Sequence, residues 1–283
     1  MLRRARQPWL WLGLGLCLAG WGPIPAWAEV SDPFPQPAAS YLVMVQGETR
    51  WARQPTHQLP PASLTKIMTA LLVLERNRPE DTVVTNAGAA SETGARLGLK
   101  PGEAMKAKDL LAAILLTSAN DACRALAEHF GGSEAGFVSL MNSRAQALSL
   151  RQTSFKNACG HDQAGHLSSA QDLALLAQAA MAHSAFASMA ATIRTTISTV
   201  DGNRSFQLEN KNELVGRYPG MIGVKTGFTA KAGKCVIAAA EREGRRVLLV
   251  LLNAPDRWWT AVAMLDRAFS ASPQMSQAGA LSP

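Results

Sequence analysis

The sequence predicts an α/β chain of the mixed α+β kind, with an antiparallel sheet built from the N- and C-terminal thirds and a mainly helical subdomain inserted between them. Three observations lead there. Apolar, β-rich runs lie at 41–53 and return after residue 190. Between them, apolar residues recur at helical spacing from 63 to 181. No internal repeat and no composition shift marks a second domain.

In chain order, residues 41–45 and 49–53 flank Gly47-Glu48 and read as strand, turn, strand. Residues 63–77 read as a helix that is apolar on every face and therefore buried, with Pro79 marking its end. Residues 80–105 are polar and contain glycine, without a clear period. A second apolar helix spans 109–117, is interrupted by Ser118-Ala119-Asn120-Asp121, and resumes over 122–130 until Gly131-Gly132 closes it. Residues 133–148 follow as a helix, and Ser168 to Gln171 reads as a capping box that opens another, to about Met181. After that the period changes. Residues 193–200 and 204–208 flank Asp201-Gly202-Asn203 as a hairpin, 223–229 reads as a strand, and 236–241 with 246–252 as a second hairpin. Asp256 opens a last amphipathic helix, 257–269.

The ends read differently. Arginines at 3, 4 and 6 precede an apolar run from Trp9 to about Gly20, and Ala26-Trp27-Ala28 closes it, so 1–28 is expected to be a cleaved secretory signal. A membrane anchor would need a longer apolar run, about 20 residues, and no stable anchor is expected after cleavage. Residues 29–39 are proline-rich and expected to be a flexible arm, 40–270 the domain, and 271–283 a disordered tail. The chain is thus expected to be exported, to the periplasm or cell envelope. Loss of the three arginines lowers the formal charge from +7 to +4. What remains is scattered, without the basic runs or interleaved aromatics of a nucleic-acid binder. Cys123, Cys159 and Cys235 allow one disulfide and a free thiol, or three buried thiols. Neither they nor the five histidines have metal-ligand spacing, so no metal and no cofactor is expected.

Chemistry concentrates at three places. Ser63 and Lys66 stand three apart and share a helical face. A serine hydroxyl is a poor nucleophile until a base takes its proton, and a buried lysine beside another cation becomes such a base. The helix start adds N–H groups and partial positive charge near Ser63. Ser118 and Asn120 sit where two helices break, able to project a hydroxyl and an amide into a cleft. Lys225-Thr226-Gly227 sits on a strand, where a lysine and a hydroxyl can bind a carboxylate and glycine lets a substrate backbone lie close. Each motif alone reads as well as a helix cap or a surface lysine.

Together, in the order S-x-x-K, S-x-N, K-T-G, they match the signature of the penicillin-recognising serine enzymes. Residues 62–69 (ASLTKIMT), 116–122 (LTSANDA), 166–173 (HLSSAQDL) and 223–233 (GVKTGFTAKAG) resemble the low-molecular-mass penicillin-binding proteins, the serine D-alanyl-D-alanine carboxypeptidases of peptidase family S11, over roughly residues 35–270. The resemblance implies a β-lactamase/transpeptidase-like fold and removal of the terminal D-alanine from peptidoglycan stem peptides through an acyl-enzyme, with β-lactams as covalent inhibitors. It implies Ser63 as nucleophile, Lys66 as base, Ser118 and Asn120 completing the proton and hydrogen-bond network, Lys225 and Thr226 holding the substrate carboxylate, and Gly227 letting the substrate backbone lie close. The N–H groups of Ser63 and Phe228 would form the oxyanion hole.

The chain departs from some relatives. Phe228 stands where some carry histidine, and Lys211 stands in Asn210-Lys211-Asn212 where some carry arginine. Lys211 adds charge near the substrate or is a surface residue. The competing readings are a D,D-endopeptidase that cuts cross-links with the same residues, a β-lactamase, and a non-catalytic peptidoglycan-binding sensor. No glutamate motif for fast deacylation lies between the S-x-N and K-T-G elements, and a binder need not keep both nucleophile and base.

Overall fold

The computed structural model describes residues 32–270. The expected signal and the expected tail lie outside them. The chain opens with strands β1 (Ser40–Val45) and β2 (Glu48–Arg53). A 3₁₀ turn, Ala62–Thr65, leads into α1 (Lys66–Glu75). The stretch without a period holds only short pieces, β3 (Thr82–Val84), α2 (Ala87–Ala90) and β4 (Ala104–Lys106). The helical centre follows: α3 (Ala107–Leu116), α4 (Asn120–Gly131), α5 (Glu134–Ala147), α6 (Ala170–Met181) and α7 (Ser184–Ala191). The chain then returns to strands, β5 (Arg194–Ser198), β6 (Ser205–Glu209), β7 (Met221–Thr229), β8 (Gly233–Arg242) and β9 (Arg245–Leu252), before α8 (Arg257–Ser270).

The main sheet runs β2-β1-β9-β8-β7, antiparallel throughout. It joins the two ends of the chain, as the sequence predicts. Successive side chains in a strand point to opposite faces, and β9 uses both. Val247, Leu249 and Leu251 pack with Ala261, Met264 and Leu265 of α8, while Val250 and Leu252 belong to the core shared with α1 and α6. That double burial is why 247–252 is an unbroken apolar run instead of an alternating one. β5 and β6 form the expected hairpin, though as a separate two-stranded sheet.

Several local expectations shift. The helix expected from Ser63 starts as a 3₁₀ turn, and α-helical geometry begins at Lys66. The cap of α6 is Ser169, one residue beyond the expected Ser168; its hydroxyl accepts from Asp172 N at 3.1 Å. Helix α7 was not anticipated; its apolar face, Phe186, Met189 and Ala190, is a single short turn among alanines and serines. Within the segment expected as a loose arm, Phe34 lies edge-on to Trp51, with ring centres 5.5 Å apart. Cys123 and Cys159 form a disulfide with Cα atoms 5.9 Å apart, and Cys235 is a free, buried thiol.

Candidate active site

The turn that presents Ser63 is built on an unfavourable backbone. Ala62 has φ +49°, a left-handed conformation that costs an L-residue about 1 kcal/mol. It is held by side chains. Thr65 Oγ1 donates to Ala62 O at 2.8 Å and accepts from His166 Nε2 at 2.8 Å, while His166 Nδ1 accepts from Lys156 N at 2.9 Å. The backbone N–H can only donate, so Nε2 carries the imidazole proton. Burial lowers the His166 pKa to about 4, which keeps the ring neutral. Gly160, at φ +88°, lies so close that a Cβ there would overlap the Ala62 carbonyl oxygen.

Lys66 is fully buried, and its Nζ lies within hydrogen-bond distance of three oxygens: Ser63 Oγ at 3.1 Å, Asn120 Oδ1 at 2.8 Å and Cys159 O at 2.6 Å. Burial lowers its pKa to about 7; Lys211 pushes the same way and Glu92 opposes. Much of the amine is therefore unprotonated at neutral pH and able to take a proton from Ser63. The Asn120 amide is oriented from both sides, since its Nδ2 donates to Thr93 O at 2.6 Å.

Ser118 reaches the site through the break between α3 and α4. Its φ is +62°, and its side chain lines the cleft. One residue past Asn120, the buried Asp121 carboxylate accepts the N–H groups of Leu97, Gly98 and Leu99 at 3.0, 2.8 and 3.0 Å. This fastens the adjoining lip of the cleft, Thr93 to Ala95, to the start of α4.

Strand β7 closes the other side. Lys225 is buried, with Nζ donating to Thr226 O at 3.0 Å. Its pKa lies well below the usual lysine value through burial, with Lys66, Lys211 and Arg257 adding repulsion. Gly227 lines the cleft and also packs against the Ser63 turn. A Cβ there would lie 3.1 Å from Ala62 Cβ and 3.2 Å from Ser63 N, so the missing side chain makes room for that turn. Phe228 stands at the rim, 65% exposed. Lys211 is exposed at the rim and lines the cleft.

The resulting cavity is ≈ 390 Å³ and brings Ser63, Ser118, Asn120, Thr226, Gly227 and Phe228 to one lining, with Lys66 and Lys225 behind it. Two further groups were not read from the sequence. Arg257 Nη1 donates to Gly227 O at 3.0 Å and Cys235 O at 3.4 Å from the first turn of α8. His161 lines the cleft while its Nε2 pairs with Glu92 at 2.8 Å. Neither sits in a local motif. Four basic side chains, Lys66, Lys211, Lys225 and Arg257, thus surround a serine in a cavity that a small anionic group can enter.

Residues 29–256 match the family model described as D-alanyl-D-alanine carboxypeptidase, Peptidase_S11. D-alanyl-D-alanine carboxypeptidase DacF of Bacillus subtilis is 38% identical over 232 residues, 79% of this chain and 59% of that protein. The chain thus spans under two thirds of that relative's length. A D-alanyl-D-alanine endopeptidase of Pseudomonas aeruginosa is 31% identical, over 78% of this chain and 74% of its own. Among solved structures, a serine-to-alanine mutant of the Streptomyces K15 DD-transpeptidase superposes with a TM-score of 0.79 at 28% identity, covering 83% of this chain and 98% of the other. The fold and these relatives agree with the motifs: the chain belongs to the peptidase S11 family of D-alanyl-D-alanine carboxypeptidases.

Proposed function

We propose that the protein is a serine D-alanyl-D-alanine carboxypeptidase acting on peptidoglycan stem peptides. The observation that carries this reading is Lys66 Nζ at 3.1 Å from Ser63 Oγ, with the amine's pKa lowered to about 7, beside the cationic wall of Lys225, Lys211 and Arg257. A substrate ending in a free carboxylate is drawn to that wall, and its last peptide carbonyl then lies over Ser63.

Ser63 Oγ attacks that carbonyl as its proton passes to Lys66 Nζ. The N–H groups of Ser63 and Phe228 receive the oxyanion, and Ser118 relays a proton to the departing amine of D-alanine. Thr226 and Lys225 bind the carboxylate. Water then hydrolyses the Ser63 ester. β-Lactams enter by the same route, acylate Ser63 and leave slowly. The site of action is the periplasm or cell envelope, supported by the signal-like N-terminal sequence.

Product analysis tests the substrate. Free D-alanine released from a pentapeptide supports the carboxypeptidase. Monomers released from cross-linked dimers, without D-alanine from the pentapeptide, replace it with the endopeptidase, the reading that the Pseudomonas relative's name favours.

A further inference from the structure

Cys123 and Cys159 bracket the catalytic lysine. Cys123 lies three residues beyond Asn120 on α4, so both occupy one helical face. Cys159 lies in the loop between α5 and α6, and its own carbonyl is the acceptor 2.6 Å from Lys66 Nζ. The disulfide therefore joins the segments that supply two of the three acceptors around that nitrogen. The next residue, Gly160, presses on Ala62, with the position of an added Cβ only 2.9 Å from Ser63 N. A shift of this loop reaches the base and the nucleophile's turn together.

Other ties hold the loop, and one of them reaches α4 without a covalent bond, because Glu134 also pairs with Arg124 of that helix at 2.6 Å. Thr69 Oγ1 donates to Ala158 O at 2.6 Å, Glu134 accepts from Ala158 N at 3.1 Å, and Asn157 Oδ1 accepts the N–H groups of Gly160 and His161 at 2.7 and 3.0 Å. Among the described residues the disulfide is the single covalent link between this loop and α4. Both of its cysteines are buried, at 0% and 1% exposure, so it seals the cage as well as tying it.

We propose that the Cys123–Cys159 disulfide is a positioning element of the active site, holding the Cys159 carbonyl and the Asn120 amide closed on Lys66 so that the amine stays dehydrated and aimed at Ser63. The proposal rests on the roles given above to Ser63 and Lys66. Opening the cage admits water, and water favours the charged amine, which is not a base. The charged groups acting on Lys66, namely Glu92, Lys211 and Lys225, are untouched by changes at the cysteines.

The test measures acylation of the full chain by a fluorescent penicillin from pH 5.5 to 9.5, beside its melting temperature. It compares the native protein with the Cys123→Ala/Cys159→Ala variant. The variant is expected to acylate about threefold more slowly at neutral pH for each half unit by which the midpoint of its rate profile rises, the deficit closing at high pH. A variant that melts earlier but keeps the native rate and midpoint overturns the proposal and leaves a purely structural disulfide. Should the variant not fold, native protein treated with dithiothreitol takes its place. The dithiol gives two electrons and two protons to the disulfide, leaving two protein thiols and its own cyclic disulfide. Two newly titratable thiols with an unchanged midpoint overturn the proposal equally. Native, oxidised protein that takes no label at any pH refutes instead the underlying serine-enzyme reading.

Discussion

Gly160 touches the carbonyl of Ala62, the residue before Ser63, with no space for a methyl group between them. The contact joins a loop nearly 100 residues downstream to the turn that presents Ser63. Both partners are in left-handed backbone, φ +88° and +49°, so neither can move aside without strain.

Gly160→Ala should therefore damage stability and chemistry together. The added Cβ meets backbone atoms and the φ suits only glycine, so a loss of about 3 kcal/mol is expected. Urea unfolding reads the first effect and the rate of penicillin labelling the second. Alanine at Gly102, where nothing lies within 4 Å of an added Cβ, controls for the φ penalty alone and should leave labelling unchanged.

Acylation should rise with pH through about 7, because the Lys66 amine must lose its proton before it can accept one from Ser63. Lys66→Ala should slow acylation by about 10²–10⁴-fold and remove that inflection. The same depressed pKa fixes the sign of a stability effect. Between about 7 and the ordinary 10.5 the unfolded chain binds the proton that the folded chain has released, so this group's contribution to stability rises with pH over that window. Stopped-flow labelling and denaturant titration across pH check the two parts.

Among the described residues Lys225 has no carboxylate partner; its hydrogen bond is to the neighbouring Thr226 carbonyl. A substrate carboxylate supplies the missing one. Lys225→Ala should lower kcat/KM for a peptide ending in D-alanyl-D-alanine by about 10–100-fold, the worth of a hydrogen bond between charged groups. Against the matching C-terminal amide the variant should lose far less. Equal losses on acid and amide would place Lys225 outside carboxylate binding.

His166 makes the nucleophile's turn sensitive to acid. Its folded pKa is about 4 against an ordinary 6.5, so between those values the unfolded chain takes up a proton that the folded chain refuses. Stability falls by about 3 kcal/mol as pH drops through that window. In His166→Gln this part of the decline should vanish from melting curves taken between pH 7 and 4.

The sheet was legible because each strand is a short apolar run with turn residues at its ends, and β8–β9 is a hairpin whose return falls at Glu243-Gly244. The site was legible at Ser63, Lys66, Asn120 and Lys225 because three short motifs name them. What escaped depends on tertiary contact. Arg257 looks like an ordinary residue of a helix's first turn until β7 is laid beside it. Asp121 looks like a first-turn acid until three N–H groups from 97–99 converge on it. Gly227 is legible as a cleft residue from its motif, but its second contact, with Pro61, Ala62 and Ser63, appears only in the fold. The cysteine pairing stayed open because spacing in sequence says nothing about which α4 residue faces which loop.

The central claim is that Ser63 is a nucleophile activated by Lys66. Labelling with a fluorescent penicillin, followed by peptide mapping of the adduct, tests it most directly. The account predicts one penicilloyl group, on Ser63, absent from Ser63→Ala. A label on another residue, or hydrolysis retained in Ser63→Ala, would contradict it.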